Sequence, residues 1–267
     1  MVKPEIGIIS GANEQHLALF GSLDNLISAE GGIELANSLP KGGTVIINSD
    51  AKLIDEIKAK LPDDKEKIFV SVKNAENIFV EPEFISFRKD LVDFKINVAG
   101  GFNIVNILMA IEVALKLKMS LNEILKATSD IRLNQGSINI VENRNGITFL
   151  DSSYSANPDG VIADLDYLNV YKGKKVVIMP SLIELGPATK EVHQRIGKRM
   201  SEVCDLVIIT SKDSFNDIKN GAGDFKKIYL IENPEDVVKR INGFCAKGDV
   251  VLFESRIPSE IILKLKL

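Results

Sequence analysis

Lys174-Lys175-Val176-Val177-Ile178-Met179-Pro180 runs into Ser181-Leu182-Ile183-Glu184-Leu185-Gly186, and a helical pattern follows over residues 188–203. Val176, Val177 and Ile178 are apolar at consecutive positions, so a strand made from them needs cover on both faces. A two-face strand leading straight into a helix is the repeating unit of a parallel sheet. The same rhythm continues on either side. Residues 147–151, 205–210, 227–231 and 249–253 read as further strands. Residues 159–169, 214–220, 234–246 and 258–265 read as helices beside them. Five strand–helix alternations predict a doubly wound, mostly parallel, Rossmann-like α/β domain over residues 138–267.

Residues 1–137 have a different rhythm. Residues 5–10 and 44–48 read as strands, and 22–39 as a helix interrupted by Gly31-Gly32. Each glycine costs a helix interior about 1 kcal/mol relative to alanine, so the helix breaks there or the backbone approaches something closely. Ser49-Asp50 is placed to cap a helix over 52–61. Short strands at 68–72, 78–80, 84–88 and 92–98 have little helix between them and read as antiparallel. A strong amphipathic helix at 103–117 follows, and Ser120-Leu121-Asn122-Glu123 has the pattern of a capping box opening the next helix. The first half reads as the back portion of a truncated α/β domain, since a buried-type strand begins almost at residue 1 with no βα unit before it.

The chain of 267 residues is 45% hydrophobic and 26% charged, enough apolar material for a core in each half. Its 33 Lys and Arg against 37 Asp and Glu leave a net charge of -4, which argues against a general nucleic-acid binder. No apolar run reaches the roughly 18 residues of a membrane span, and the N-terminus lacks a signal-peptide core. Cys204 and Cys245 make no disulfide framework, and His16 and His193 no histidine-rich metal site. A soluble cytoplasmic protein is expected.

Ligands of open α/β sheets bind beyond the carboxyl ends of the strands. Those ends carry Asp151-Ser152-Ser153-Tyr154-Ser155-Ala156-Asn157-Pro158, the 180–186 segment with Glu184, Ser211-Lys212, and Glu254-Ser255-Arg256. The same residue types also suit ordinary turns and helix caps, so both readings stay open. His16 suits a cap or the surface, and His193, beside Lys190 and Arg195 on a helix, reads as solvated or as a cap partner. No Gly-x-x-x-x-Gly-Lys-Ser/Thr phosphate loop, no dinucleotide-binding glycine fingerprint and no Gly-x-Ser-x-Gly elbow occurs in the sequence.

Taken together, the segments resemble the Mur ligases. Asp151 to Pro158 is similar to that family's Asp-Asp-x-Tyr-Asn-Ala-Asn-Pro segment, and 176–186 to its strand ending in a Glu-Leu-Gly loop. Glu254-Ser255-Arg256 resembles its Gly-Ser-Arg turn. Gly100-Gly101-Phe102-Asn103, with Asn106 and Ala110, resembles its Gly-x-His-Asn-x-x-Asn helix start. Residues 3–22, with His16, resemble the strand and metal-histidine loop of its central ATPase domain.

The resemblance implies a central-domain remnant lacking the phosphate loop over 1–137 and the C-terminal domain over 138–267. It implies ATP-dependent amide-bond formation between an acid and an amino acid or dipeptide, in peptidoglycan precursor synthesis. This chain would be a fragment or one part of a split enzyme, with a separate chain supplying the N-terminal part. ATP and Mg2+ are the implied cofactors. A catalytically inactive Mur-like binding or scaffolding protein is the alternative, and an unrelated α/β domain a third reading.

Carried over by position, His16 is the magnesium ligand, and Glu30 stands where the family has a carbamylated lysine. Asp151 and Glu30 are the implied catalytic acids. Asn106, Asp151, Tyr154 and Asn157 are implied nucleotide contacts, while Asn157, Glu184 and Arg256 are implied for the substrate. Departures are Phe102 for the family's histidine, Ser137 for an arginine, Ser152 for the second aspartate and Ser155 for an asparagine.

Overall fold

A computed structural model describes residues 3–131, 138–143, 145–154 and 156–266. Ser137 and Ser155 lie outside the described residues. The chain divides into two compact units, Met1–Arg132 and Leu133–Leu267.

In the first unit, β1 (Ile6–Ile9) precedes three short helices, α1 (Leu17–Phe20), α2 (Leu23–Glu30) and α3 (Ile33–Ser38). Strand β2 (Thr44–Asn48), helix α4 (Ile54–Lys60) and strand β3 (Glu66–Val70) follow. The strands form a parallel sheet in the order β1-β2-β3. Val45, Ile46 and Ile47 are fully buried because β2 is covered on both faces. Val45 and Ile47 pack with Ile27, Ala36 and Ile57, whereas Ile46 packs with Ile104 and Leu108. The last two lie on α5 (Asn103–Lys116), which precedes α6 (Leu121–Ser129). A meander of β4 (Glu76–Val80), β5 (Ile85–Lys89) and β6 (Val92–Ile96) completes the unit. Within it Phe87 stacks on its cross-strand partner Phe94 at 5.4 Å.

Two expectations are corrected here. The segment near 68–72 joins β2 in parallel, not the antiparallel meander; the connection through α4 is long enough for a parallel return. Ser49 and Asp50 do not cap α4, which has no side-chain cap at its first turn. Asp50 instead accepts the Ser71 hydroxyl and the Val72 amide, each at 2.7 Å, and so ties the end of β3 to the end of β2. The interruption expected at Gly31-Gly32 divides 22–39 into two helices, with Gly32 at φ 75° between them. A Cβ on Gly32 would stand 2.7 Å from Ile9 Cγ1, so the turn needs both the left-handed backbone and the missing side chain.

The second unit begins with β7 (Asn139–Glu142) and β8 (Thr148–Ser152), an antiparallel hairpin. Then α7 (Pro158–Leu168), β9 (Lys175–Met179), α8 (Thr189–Val203), β10 (Leu206–Ile209), α9 (Phe215–Gly221) and β11 (Ile228–Leu230) alternate. Helix α10 (Pro234–Phe244), strand β12 (Val250–Glu254) and helix α11 (Ser259–Lys266) close the chain. The sheet order is β11-β10-β9-β12-β8-β7, with β8 to β12 all parallel. Strand β7 was not expected from the sequence; it pairs along the outer edge of β8.

The order explains which face each helix covers. From β8 to β11 the chain steps one way across the sheet, and from β11 it returns to insert β12 between β8 and β9. Right-handed crossovers then put helices from the outward and return steps on opposite faces. Accordingly α7 packs on α8 and α8 on α9, while α10 packs on α11. The α8–α9 contact is a backbone contact: a Cβ on Gly197 would meet the Ile218 carbonyl at 1.9 Å, and one on Gly221 the Gln194 carbonyl at 2.0 Å.

Candidate functional site

In the first unit the chain brings two implied residues together. Glu30 is the last residue of α2 and His16 immediately precedes α1, and His16 Nδ1 lies 2.9 Å from Glu30 Oε1. His16 has φ 63°, a left-handed conformation that turns its ring back towards α2. Both side chains are partly open to solvent. Asn106 is exposed on α5, one turn after the buried Asn103, whose amide donates to the Ala99 carbonyl at 2.7 Å.

Among the described residues no group of three or more His, Cys, Asp or Glu could hold a metal. The pair of one imidazole nitrogen and one carboxylate oxygen still fits a magnesium ion whose remaining ligands are waters and phosphate oxygens, the usual habit of that ion.

In the second unit the candidates cluster at the carboxyl edge of the sheet. Asp151 and Tyr154 follow from β8, Glu184 lies beyond β9, and Arg256 lies just beyond β12. These three strands are neighbours in the order β9-β12-β8. The connections leaving β8 and β9 go to one face and the one leaving β12 to the other, so a crevice between strand ends is expected at this reversal. Tyr154 is 87% exposed. Glu184 and Arg256 are also exposed, and each lies beside backbone in the left-handed region, at Glu184 itself (φ 65°) and at Ser255 (φ 60°). Non-glycine residues there carry local strain, a feature that gathers at ligand loops.

Two candidates are already engaged within the fold. The Asn157 side-chain oxygen accepts the Gly160 amide at 2.8 Å and caps α7, with Pro158 at the first helical position. Asp151 accepts from Lys266 Nζ at 2.5 Å and from the Ser153 amide at 3.1 Å. Burial pushes the Asp151 carboxyl up, but Lys266 and the Ser153 hydroxyl and amide outweigh it and hold the group below the usual carboxylate range.

His193 corrects an expectation. It is neither solvated nor a simple cap partner but fully buried. Its Nε2 accepts the Leu182 amide at 3.0 Å, and its Nδ1 lies 2.7 Å from the Thr189 carbonyl. An acceptor at Nε2 and a donor at Nδ1 describe the neutral ring, and burial lowers its affinity for a second proton despite the pull of the Thr189 carbonyl. The ring therefore pins the 180–186 loop to α8. Ser181 adds a second pin, its amide donating to Ser211 Oγ at 2.7 Å and its hydroxyl accepting from the Ser214 amide at 3.1 Å. Cys204 and Cys245 are free thiols, and burial pushes both up, Cys245 to about 12, which removes them as nucleophiles.

The sequence reading missed Lys266 and Asp164, and took Glu254 only as part of a strand-end turn. Lys266 offers no local signal, since its partner is 115 residues away. The other two do. Asp164 falls on the apolar stripe of Val161, Leu165 and Leu168, and Glu254 ends the apolar run 250–253, so both positions point inwards. A surface depression at α10, lined by Asp236, Lys239, Arg240 and Phe244, contains none of the candidates.

Two family descriptions match in the order of the two units, the Mur ligase middle domain over residues 1–114 and the Mur ligase glutamate ligase domain over residues 138–256. The chain belongs to the Mur ligase family. Among similar proteins, UDP-N-acetylmuramoyl-tripeptide–D-alanyl-D-alanine ligase of Haemophilus influenzae is 24% identical over 220 residues, 80% of this chain and 48% of the relative. The Synechocystis protein of the same name is 26% identical, covering 96% of this chain and 56% of the relative. This Mur ligase chain thus spans about half the length of the curated relatives it matches. Among solved structures, MurF ligase of Thermotoga maritima in complex with ADP superposes with a TM-score of 0.82 at 20% identity, covering 99% of this chain and 62% of that one. MurF of Acinetobacter baumannii gives 0.84 at 22%, over 99% and 60%. The fold is that of the Mur ligase middle and C-terminal domains, a mixed α/β architecture. Among the described residues, no helix is long and apolar enough to cross a membrane.

Proposed function

We propose that this chain supplies, over residues 1–137 and 138–267, two domains of an ATP-dependent acid–amino-acid ligase acting in cytoplasmic peptidoglycan precursor synthesis. The phosphate loop, which this sequence lacks, would come from the rest of a longer protein or from a separate chain. The observation that supports the reading is the position of Tyr154, Glu184 and Arg256 beyond the carboxyl ends of three adjacent parallel strands where the strand order reverses. Arg256 offers a planar guanidinium that matches a carboxylate or phosphate in two-point contact. Glu184 would take the ammonium of an incoming amino acid or dipeptide. Tyr154 and Asn157 in the second unit, and Asn106 in the first, are each proposed as nucleotide contacts. His16 and Glu30 would hold a magnesium ion, which when bound neutralises phosphate charge during carboxylate activation.

The ligand roles are tested by isothermal titration of the chain with D-alanyl-D-alanine and with magnesium ATP. Arg256→Ala should weaken dipeptide binding at least tenfold with an unchanged melting temperature; unchanged affinity removes Arg256 from the site. The chain alone should release no phosphate in an amino-acid-dependent way, and turnover by it alone would overturn the split-enzyme reading.

A second reading, a catalytically inactive Mur-like binding protein, is favoured by one observation. Asp151, an implied catalytic acid, is held in an ion pair with Lys266 inside its own unit. Persistent ligand binding without phosphate release, even with a phosphate-loop chain added, would select it.

A further inference from the structure

Two carboxyl groups with no part in the proposed chemistry lie side by side in the second unit. Glu254 ends β12 and Asp164 sits midway along α7, and their exposures are 1% and 7%. The register sets Glu254 directly beside Ser152 of β8, and the Ser152 hydroxyl donates to Asp164 Oδ2 at 2.5 Å. Glu254 Oε1 accepts the Ser255 amide at 3.1 Å. Its second oxygen, Oε2, is buried with no hydrogen-bond donor among the described residues, while α7 packs on β12 and both carboxyl groups neighbour Ser152. Two bare carboxylates in a buried contact repel, and an orphaned carboxylate oxygen is costly; a proton between them removes both penalties.

We infer that Asp164 and Glu254 share one proton, and that this acid–carboxylate bridge, extended by Ser152, fastens the carboxyl ends of β8 and β12 to α7. Its sequence sign is a pair of departures: serine at 152, where the family segment carries a second aspartate, and glutamate at 254 beside the Ser255-Arg256 turn. An aspartate at 152 would add a third negative group beside them, whereas the serine hydroxyl donates.

Charges on the surrounding elements are committed elsewhere. On β8, Asp151 points to the opposite face and pairs with Lys266 of α11. On α7, Asp159 and Asp166 pair with Arg195 and Arg199 of α8. His193 of α8 is neutral, and Arg256 beyond β12 is exposed. Asp164 is the charge that acts on Glu254. Burial first, then Asp164, raise the Glu254 carboxyl well above its ordinary range, and burial raises Asp164 as well, which agrees with a retained proton.

Folding therefore takes up a proton. A group whose folded affinity for the proton is raised stabilises fully below its unfolded pKa, about 4.3 for glutamate, and that stability is lost as pH rises through the folded value. Above it the bridge opens at the strand ends that carry Ser153 and Arg256. The inference goes beyond the ligase reading and does not depend on it.

The test is carboxyl carbon NMR of the full chain labelled at Asp and Glu side chains, with thermal unfolding followed over the same pH series. One Glu resonance, absent in Glu254→Gln, should titrate well above the ordinary glutamate range. The wild-type melting temperature should fall as pH rises through that midpoint, and Glu254→Gln should lack this fall, because its amide donates to Asp164 at every pH. In Asp164→Asn the Glu254 midpoint should drop, since the neighbouring charge is gone and an amide donor replaces it. Glu254 titrating in the ordinary range, or an equal fall in Glu254→Gln, overturns the shared proton; the wild-type titration decides the matter even if a variant does not fold.

Discussion

Lys266 Nζ reaches Asp151 Oδ2 at 2.5 Å, so the last described residue of α11 closes on the end of β8. Both side chains are less than one-fifth exposed. Lys266→Met leaves Asp151 without its counter-ion in a half-buried place and should cost about 1–3 kcal/mol at neutral pH by chemical denaturation, between the exposed and fully buried limits. Asp151 has a lowered folded pKa, so its contribution is present above about pH 3.9 and lost as pH falls through the folded value. The cost of Lys266→Met should accordingly shrink in acid.

His193→Ala strands the Leu182 amide and leaves a cavity, for an expected loss of about 2–4 kcal/mol. The folded ring has a lowered pKa, so its stabilisation is complete above about pH 6.5 and declines as pH falls from there towards the folded value. Unfolding midpoints at pH 7.5 and 5.5 should converge between wild type and variant. The same midpoints for other residues of the 180–186 loop would not.

Glu30 and His16 are about one-third exposed or more, and their contact is worth less than about 1 kcal/mol in fold stability. Glu30→Ala should therefore melt like the wild type. Its effect should appear in magnesium-dependent nucleotide binding, read by titration with and without the metal when a phosphate-loop chain is present.

Gly32→Ala should destabilise by about 1–3 kcal/mol, since φ 75° is strained for alanine and its Cβ would press on Ile9. Gly42, with φ 76° but open space around it, isolates the backbone share: Gly42→Ala should cost less in the same unfolding experiment.

The repeating βα rhythm of the second unit was legible because strands buried on both faces leave consecutive apolar residues, as in Val176-Val177-Ile178. Strand β3 was harder, since a short apolar run does not say whether its partner is parallel; that depends on the α4 connection. The split of 22–39 was half visible in Gly31-Gly32, but the obstacle that fixes it, Ile9, is remote in sequence. At the candidate site, the residues themselves were legible as polar side chains at strand ends. Their partners were not: Lys266 beneath Asp151, and the Leu182 amide held by His193, are pairings that only the folded chain creates.

The glycine contact between α8 and α9 has a mechanical result. With no side chain between the two backbones, neither helix can slide along the other without a collision of main-chain atoms. His193 rides on α8 and grips the Leu182 amide, so the segment bearing Glu184 is braced by a girder that runs to the β11 rim of the sheet.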